Sequence, residues 1–365
     1  MTDSAFLDLV SRIPPPDGAA MDAARARQDA LAKPPRSLGA LEEISVQLAG
    51  ITGNVINSLA HRRIAIFSSD NGVCAEGVAS APQSVTRAQT INFTRCKTGV
   101  SAMAKYTGTE LDVIDVGNLT ELPYHLGIRN EKIAAGTQNI AKGPAMTRGQ
   151  CLRAIGVGVE AARRAKADGV DVLGIGEMGI GNTTTSAAVL CALAGVSPEE
   201  AVGRGGCITD AVFAHKRDVV RAALAVNRPD RNDPVGVLAA VGGFDLAAMA
   251  GAFLGAAAER LPVVIDGYIS AVAALCAFRI CPTARAYFFP SHKSCEAGYT
   301  LAMNEMGLRP YLDLGMRLGE GSGCPLAFSV METACIVMAH MATFEEAEIN
   351  DDYLSDVRLE MERKT

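Results

Sequence analysis

The chain has 365 residues, of which 49% are hydrophobic, enough for two domains or one large α/β domain with a sizeable core. Aromatic residues make up only 5%, Trp is absent and Gly numbers 36, a balance that suits tightly packed helices on a parallel sheet better than an all-β sandwich. A net charge of −6 lacks the basic face that nucleic acid requires, and no apolar run is long enough for a bilayer, so neither nucleic acid nor membrane is an expected partner.

The first 60 residues read as helices. Asp3 and Ser4 are candidate caps for the first, which Pro14 to Pro16 stop. A second runs from about Ala19 to Ala32. After Lys33-Pro34-Pro35-Arg36-Ser37-Leu38-Gly39, Ser37 is the candidate cap for a third, carried by Leu41, Ile44, Leu48 and Ile51 at helical spacing. From Arg62 the pattern changes to short apolar runs. Arg63–Ser68, Leu111–Gly117, Val170–Gly176, Pro262–Gly267 and Arg285–Pro290 read as buried strands, with helical segments between most of them. Alternating strands and helices imply βαβ units and a parallel sheet. From about Met331 to Ala342 the chain returns to helix. The expected division is a small helical domain, residues 1–60 plus about 331–365, and a large α/β domain over about 61–330.

Each strand ends in or just before a polar residue or Gly. Ligands of open parallel sheets bind beyond the carboxyl ends of the strands, so Asp70, Asp115, Glu177, Asp266, Ser291 and His292 are expected to converge on one edge. The plainer reading is that polar residues simply end strands. Ten Cys include no C-x-x-C pair and the five His are scattered, so no metal site is expected. The N-terminal stretch lacks a basic region followed by a long apolar run. Thiols without a secretion signal fit a reducing cytoplasm, with the cysteines free and mostly buried.

Four segments are candidates for chemistry. Gly174-Ile175-Gly176-Glu177-Met178-Gly179-Ile180-Gly181-Asn182-Thr183-Thr184-Thr185 leaves a strand and opens a helix. Backbone N–H groups at such a start can hold a phosphate, although no Gly-Lys-Ser/Thr closes it as in a P-loop. Glu177 is out of place in an anion site unless it holds ribose hydroxyls or a cationic ring. Gly315-Met316-Arg317-Leu318-Gly319-Glu320-Gly321-Ser322-Gly323 flanks one carboxylate with glycines, where backbone approaches a ligand closely. Glu320 is a candidate general base, its pKa expected to be lowered by the helix that follows; otherwise it is an exposed turn residue. The stretch from Asp70-Asn71-Gly72 through Ala81 to Gln89 offers small and polar residues for a planar ring, or is an ordinary strand-to-helix loop. Phe288-Phe289-Pro290-Ser291-His292-Lys293-Ser294 holds a Ser and a His, but no G-x-S-x-G elbow accompanies them.

Together these segments resemble the nicotinate-nucleotide–dimethylbenzimidazole phosphoribosyltransferase family of cobalamin assembly. The resemblance runs from Lys33 to Ala347. It rests on K-P-P-x-S-L-G at Lys33 to Gly39, G-I-G-E-M-G-I-G-N-T-T from Gly174, V-G-G-F-D at Val241 to Asp245, D-G-Y-I-S at Asp266 to Ser270 and R-L-G-E-G-S-G at Arg317 to Gly323. It implies a Rossmann-like parallel-sheet domain with a small helical domain from both chain ends. It also implies a homodimer, or else a heterodimer with a homologous chain. The family's catalytic base falls on Glu320. The phosphate and ribose set falls on Glu177, Met178, Gly179, Gly181 and Asn182, with Lys216 as cationic partner, and extends to Asp266 and Ser294. The lower-ligand pocket falls on Asp70, Ala81, Gln89, Leu318 and Gly319. Two positions depart from the family pattern: Asn71 stands where His is usual, and Ala81 where Ser or a bulky aromatic is more common.

The expected substrates are small molecules, nicotinate mononucleotide and a benzimidazole-type base, with no cofactor. Alternatives are a purine or phenolic acceptor and a non-catalytic nucleotide-binding homologue. A dinucleotide-dependent dehydrogenase is disfavoured for want of the Gly-rich fingerprint unit.

Overall fold

The structure, a computed structural model, describes residues 1–362. Its centre is one parallel sheet of six strands in the order β3-β2-β1-β4-β5-β6: β1 Arg62–Ser69, β2 Glu110–Gly117, β3 Arg129–Asn130, β4 Val172–Met178, β5 Val263–Ile265 and β6 Phe288–Pro290. The expected α/β sheet with flanking helices is therefore present. β1 and β4 are buried along almost their whole length, as strands covered on both faces must be, which is why they read as continuous apolar runs. β3 escapes a pattern reading because it is two residues long and pairs only with Ile114 and Asp115. The last strand is shorter than expected: Pro282–Tyr287 forms a 3₁₀ helix with Pro282 in its first turn.

The chain divides into two compact units, one of Met1–Pro14 and His61–Ala327, the other of Pro15–Ala60 and the segment from Phe328 onward. The first helix, Asp3–Ser11, does not join the smaller part as the sequence suggests. It belongs to the larger one, where Phe6 and Leu9 are buried and the helix packs on Phe244–Ala258. Its cap is Thr2, whose side chain accepts the Ala5 N–H at 3.2 Å.

In the smaller unit, Ala20, Ala24, Leu31, Val46, Ala49 and Met338 form an apolar cluster. The third helix, Ala40–Thr52, starts from Gly39 at φ 52° and not from Ser37. Ser37 lies within the preceding turn, its N–H on Pro34 O. Lys33 is buried against Glu42 at 2.8 Å, and Glu42 also accepts the Leu38 N–H. The K-P-P-x-S-L-G stretch is thus folded around one ion pair.

In the larger unit the helices Arg148–Ala167 and Phe244–Ala258 make the most extensive helix–helix contact. A Cβ at Gly158 would collide with Ala248 O, and one at Gly251 with Ile155 O. The two backbones touch, and every residue from Phe244 to Ala257 is buried. The strand order reverses between β1 and β4, and in an open parallel sheet that reversal opens a crevice beyond the carboxyl ends of the strands. No helix among the described residues is long and apolar enough to cross a membrane.

Candidate active site

A cavity of about 270 Å³ lies beyond the carboxyl ends of β4, β5 and β6, within the larger unit. Two glycines in β4 make room for its floor. A Cβ at Gly174 would lie 2.8 Å from the Cys324 side chain, and one at Gly176 would lie 2.5 Å from Glu320 O. Gly in these strand positions marks the approach of another backbone.

Glu177 follows on β4, buried, with each carboxylate oxygen engaged. Asn182 Nδ2 donates to Oε2 and the Glu320 N–H donates to Oε1 at 3.2 Å. Asn182 Nδ2 also reaches Asp245 Oδ2 at 3.2 Å, while Asp245 Oδ1 accepts the Leu246 N–H at 2.9 Å. Burial pushes Glu177 up to about 8 and Asp245 up to about 6, against these donors. The chain then turns through Gly179 and Gly181 into the helix Asn182–Ala194. Gly179 is needed because a Cβ there would sit 2.6 Å from both Asp245 Oδ2 and Ser69 O. Gly181 is needed because its φ is 92°.

Glu320 is buried on a turn at φ 65°, the left-handed region that L side chains rarely adopt. Its carboxylate Oε1 accepts Gln89 Nε2 at 3.3 Å, and Oε2 accepts the Val100 N–H at 3.3 Å. Val100 opens the helix Gly99–Thr107. A helix start therefore does meet this carboxylate, but it is not that of Cys324–His340, which follows Glu320 in the chain. The pKa of Glu320 is also raised and not lowered, because burial outweighs the donors from Val100, Gly99 and Gln89. Gln89 is itself oriented by Asn92 Nδ2 at 2.9 Å. Asp266, at the end of β5, accepts the Gly321 N–H at 2.9 Å and the Gly323 N–H at 2.6 Å. Burial pushes it up to about 7.

The opposite wall carries positive charge. Lys216, on the helix Asp210–Asn227, is buried and donates to Thr183 Oγ1 at 2.8 Å. Burial lowers its pKa to about 8, with the Glu296 carboxylate acting the other way. Gly205 fits against this pair at φ 54°; a Cβ there would lie 3.1 Å from Thr183 Oγ1 and 3.5 Å from Lys216 Nζ. Arg204 and Arg317 also line the cavity. An ammonium held beside a helix start, with glycine backbone around it, can bind a phosphate.

Of the residues expected at the site, Glu177, Met178, Gly179, Gly181, Asn182, Lys216, Asp266, Ser294, Ala81, Gln89, Leu318, Gly319 and Glu320 line this one cavity. Asp70 does not. It lies buried behind the loop that follows β1, its Oδ2 accepting the Leu119 N–H at 2.8 Å. Asn71 is fully buried too, its Nδ2 3.5 Å from both Ser69 O and Asp245 Oδ2, so of the two family departures only Ala81 faces the cavity. The expected convergence of six strand-end residues reduces to Glu177, Asp266 and His292. Ser291 sits beneath, donating to Asp266 O at 2.8 Å. Asp115 is bound up locally on β2. Sequence reasoning missed three contributors: the Gly203-Arg204-Gly205-Gly206 loop, Val100 at its helix start, and Glu296, buried with Oε2 unpartnered. Only the first left a signal, a glycine cluster before a capped helix.

A sheet of this order, with Lys216 and a glycine turn at a helix start in one cavity with Glu320, suits a group-transfer enzyme. The family model described as phosphoribosyltransferase matches residues 13–349. The nicotinate-nucleotide–dimethylbenzimidazole phosphoribosyltransferase of Clostridium perfringens is 53% identical over 336 residues, 92% of each chain. That of Ruminiclostridium cellulolyticum is 47% identical over 329 residues, 90% of this chain and 93% of the other. The crystal structure of CobT from Thermus thermophilus superposes with a TM-score of 0.88 at 42% identity, covering 91% of this chain and 99% of that one. The chain belongs to the nicotinate-nucleotide–dimethylbenzimidazole phosphoribosyltransferase family.

Proposed function

We propose that this chain transfers the phosphoribosyl group of nicotinate mononucleotide to a benzimidazole-type base, giving the α-ribotide and nicotinate for cobamide nucleotide-loop assembly. The observation that carries the reading is the cavity itself. It sets the Glu320 carboxylate, held by Gln89 and Val100, in the same enclosure as Lys216 and the glycine turn after β4.

Nicotinate mononucleotide carries a cationic pyridinium on C1′. When the C1′–N bond breaks, its electron pair returns to the ring nitrogen and nicotinate leaves, with no general acid needed. The acceptor has the harder task. One nitrogen attacks C1′ while the other must lose its proton, and a single placed carboxylate suffices to take it. Attack opposite the leaving ring inverts C1′ from β to α. Glu320 receives the proton. Lys216, with the turn from Glu177 to Asn182, orients the phosphate and ribose, and Ser294 lines the same cavity. Burial favours this division of work, because a base raised above the ordinary glutamate range is closer in pKa to the proton it abstracts. Ala81, Gln89, Leu318 and Gly319 form the acceptor side, and the small Ala81 leaves room there for a purine or a phenol. No metal or redox cofactor enters this scheme.

The same reading takes the active form as a homodimer, with a pair of homologous chains as the alternative. It places the protein in a reducing cytoplasm, in keeping with ten free cysteines.

The test is to incubate the purified protein with nicotinate mononucleotide and, separately, dimethylbenzimidazole, adenine and p-cresol, and to look for the ribotide by mass. Ribotide is expected, with dimethylbenzimidazole the best acceptor. Glu320→Gln should lose roughly 10²–10⁴-fold in kcat while still binding nicotinate mononucleotide. Near-normal turnover by that variant would remove Glu320 from the role, and no ribotide from any acceptor would overturn the transfer.

A further inference from the structure

The turn that carries Glu320 is held from below by two carboxylates on neighbouring strands. Glu177 Oε1, on β4, accepts the N–H of Glu320 itself at 3.2 Å. Asp266, just after β5, accepts the next N–H, of Gly321, with Oδ2 at 2.9 Å, and that of Gly323 with Oδ1 at 2.6 Å. Both oxygens of Asp266 are thus engaged by backbone of a single turn.

The glycines of the turn fit this grip. A Cβ on Gly319, at φ 81°, would meet Glu177 Oε1 at 2.6 Å. Gly321 has φ 90° and packs 3.2 Å from Gly176 Cα by the same measure. A Cβ on Gly323 would collide with His292 Nδ1 and come within 2.5 Å of Ser291 Oγ. Each glycine lets the backbone descend onto a strand-end carboxylate or its neighbours. Asp266 is fixed in turn, its own N–H on Ser270 Oγ at 3.2 Å and its carbonyl accepting Ser291 Oγ at 2.8 Å. A non-glycine residue in the left-handed region persists only where its surroundings determine it, and here they are the three N–H bonds to Glu177 and Asp266.

We propose that Asp266 is a positioning residue for Glu320: by accepting the Gly321 and Gly323 N–H groups it fixes the turn from which Glu320 reaches the acceptor. This replaces the ribose contact expected of it from sequence, and it rests on Glu320 being the base. An Asn at this position has one acceptor and one donor where two acceptors are needed, so one N–H of the turn meets a donor and the turn shifts. A displacement of about 1 Å in a reacting group can cost on the order of 100-fold in rate.

The experiment is a double-mutant cycle of Asp266→Asn with Glu320→Gln, read as kcat and as KM for nicotinate mononucleotide, with a thermal melt on each variant. Asp266→Asn alone should lower kcat about 10- to 100-fold with KM changed less than about twofold. In the Glu320→Gln background it should cost less than about twofold more, since there is no base left to position. A large rise in KM with kcat preserved would overturn the proposal and return Asp266 to the ribose. Equal losses in both backgrounds would overturn it too, by separating Asp266 from Glu320. Should Asp266→Asn fail to melt cooperatively, the same cycle on Asp266→Glu decides, because that variant keeps the charge and moves the carboxylate by one methylene. Failure of the base assignment has a different signature: Glu320→Gln alone retains its turnover.

Discussion

The two halves of the sheet edge end in the same chemistry and do different things with it. On the β1–β2 side, Asp115 is wholly buried and its carboxylate accepts from the Gly117 N–H, the Asn118 N–H, Asn118 Nδ2 and Tyr124 OH, all at 2.8–3.0 Å. Asp70 is likewise turned to the Leu119 N–H. Asp115 ties β2 to its own following loop, and Asp70 ties the end of β1 to that same neighbouring loop. On the β4–β5 side, Glu177 and Asp266 take their backbone donors from a segment far along the chain, residues 319–323, and stand at a cavity wall. The source of the donors separates the two roles. An acid whose donors come from a loop away from the cavity is structural, whereas an acid whose donors come from a turn in the cavity wall fixes one part of a site against another.

That contrast can be broken by experiment. The largest effect should be on pH dependence. Glu320 acts as a base only when deprotonated, and burial raises its pKa. The kcat profile should therefore fall about tenfold per pH unit below an acid limb lying above the ordinary glutamate value of about 4.3. A limb at or below that value would show that the cavity does not desolvate Glu320. Next comes Lys216. Removing a charge-assisted bond to phosphate typically costs about 1.5–3 kcal/mol, so Lys216→Gln should raise KM for nicotinate mononucleotide roughly 10- to 150-fold. In the native enzyme the ammonium, lowered to about 8 by burial, is charged below that pH and lost above it. KM should therefore rise with pH above about 8, and the variant should not show that rise. An unchanged KM would take Lys216 out of the phosphate corner. The smallest functional effect is expected on the other half of the sheet. Asp115→Asn should lower unfolding stability by about 1–3 kcal/mol in denaturant titration and leave kcat/KM within about twofold. A large loss of kcat/KM in the folded variant would erase the distinction between the two edges.

Much of the site is legible in the sequence because its residues sit in local patterns. The glycine turn after β4 and the R-L-G-E-G-S-G turn are short motifs whose glycines answer to positive φ or to close backbone approach, which a sequence displays directly. Long apolar strands such as β1 and β4 are legible for the same reason. What sequence does not show is direction. Asp70 and Asp266 both follow a strand, yet one takes the Leu119 N–H away from the cavity and the other holds the turn that carries Glu320. Asn71, a conspicuous departure from the family pattern, lies beneath the cavity floor. Val100 contributes a backbone N–H, which has no letter of its own. The sign of the Glu320 shift is misread from sequence because the helix start is visible there and the extent of burial is not. The cap of Ala40–Thr52 is misplaced because Ser37 lies inside a turn that Gly39 ends at a positive φ, its N–H bonded to Arg36 O.

The touching backbones of Arg148–Ala167 and Phe244–Ala258 bear on how the chain is made. A ribosome delivers the first helix, with the groove around Gly158 open to water, well before the second exists. The second helix, buried on every side from Phe244 to Ala257 once in place, emerges as a nearly uncharged apolar segment that is covered by that groove, the sheet, and the helices Asp3–Ser11 and Tyr268–Ile280. The nascent chain therefore passes through an interval in which a long apolar helix has its groove but not yet Tyr268–Ile280, which follows it in the chain, to cover it, and the small residues that let the two backbones meet also leave little side chain to guide the encounter.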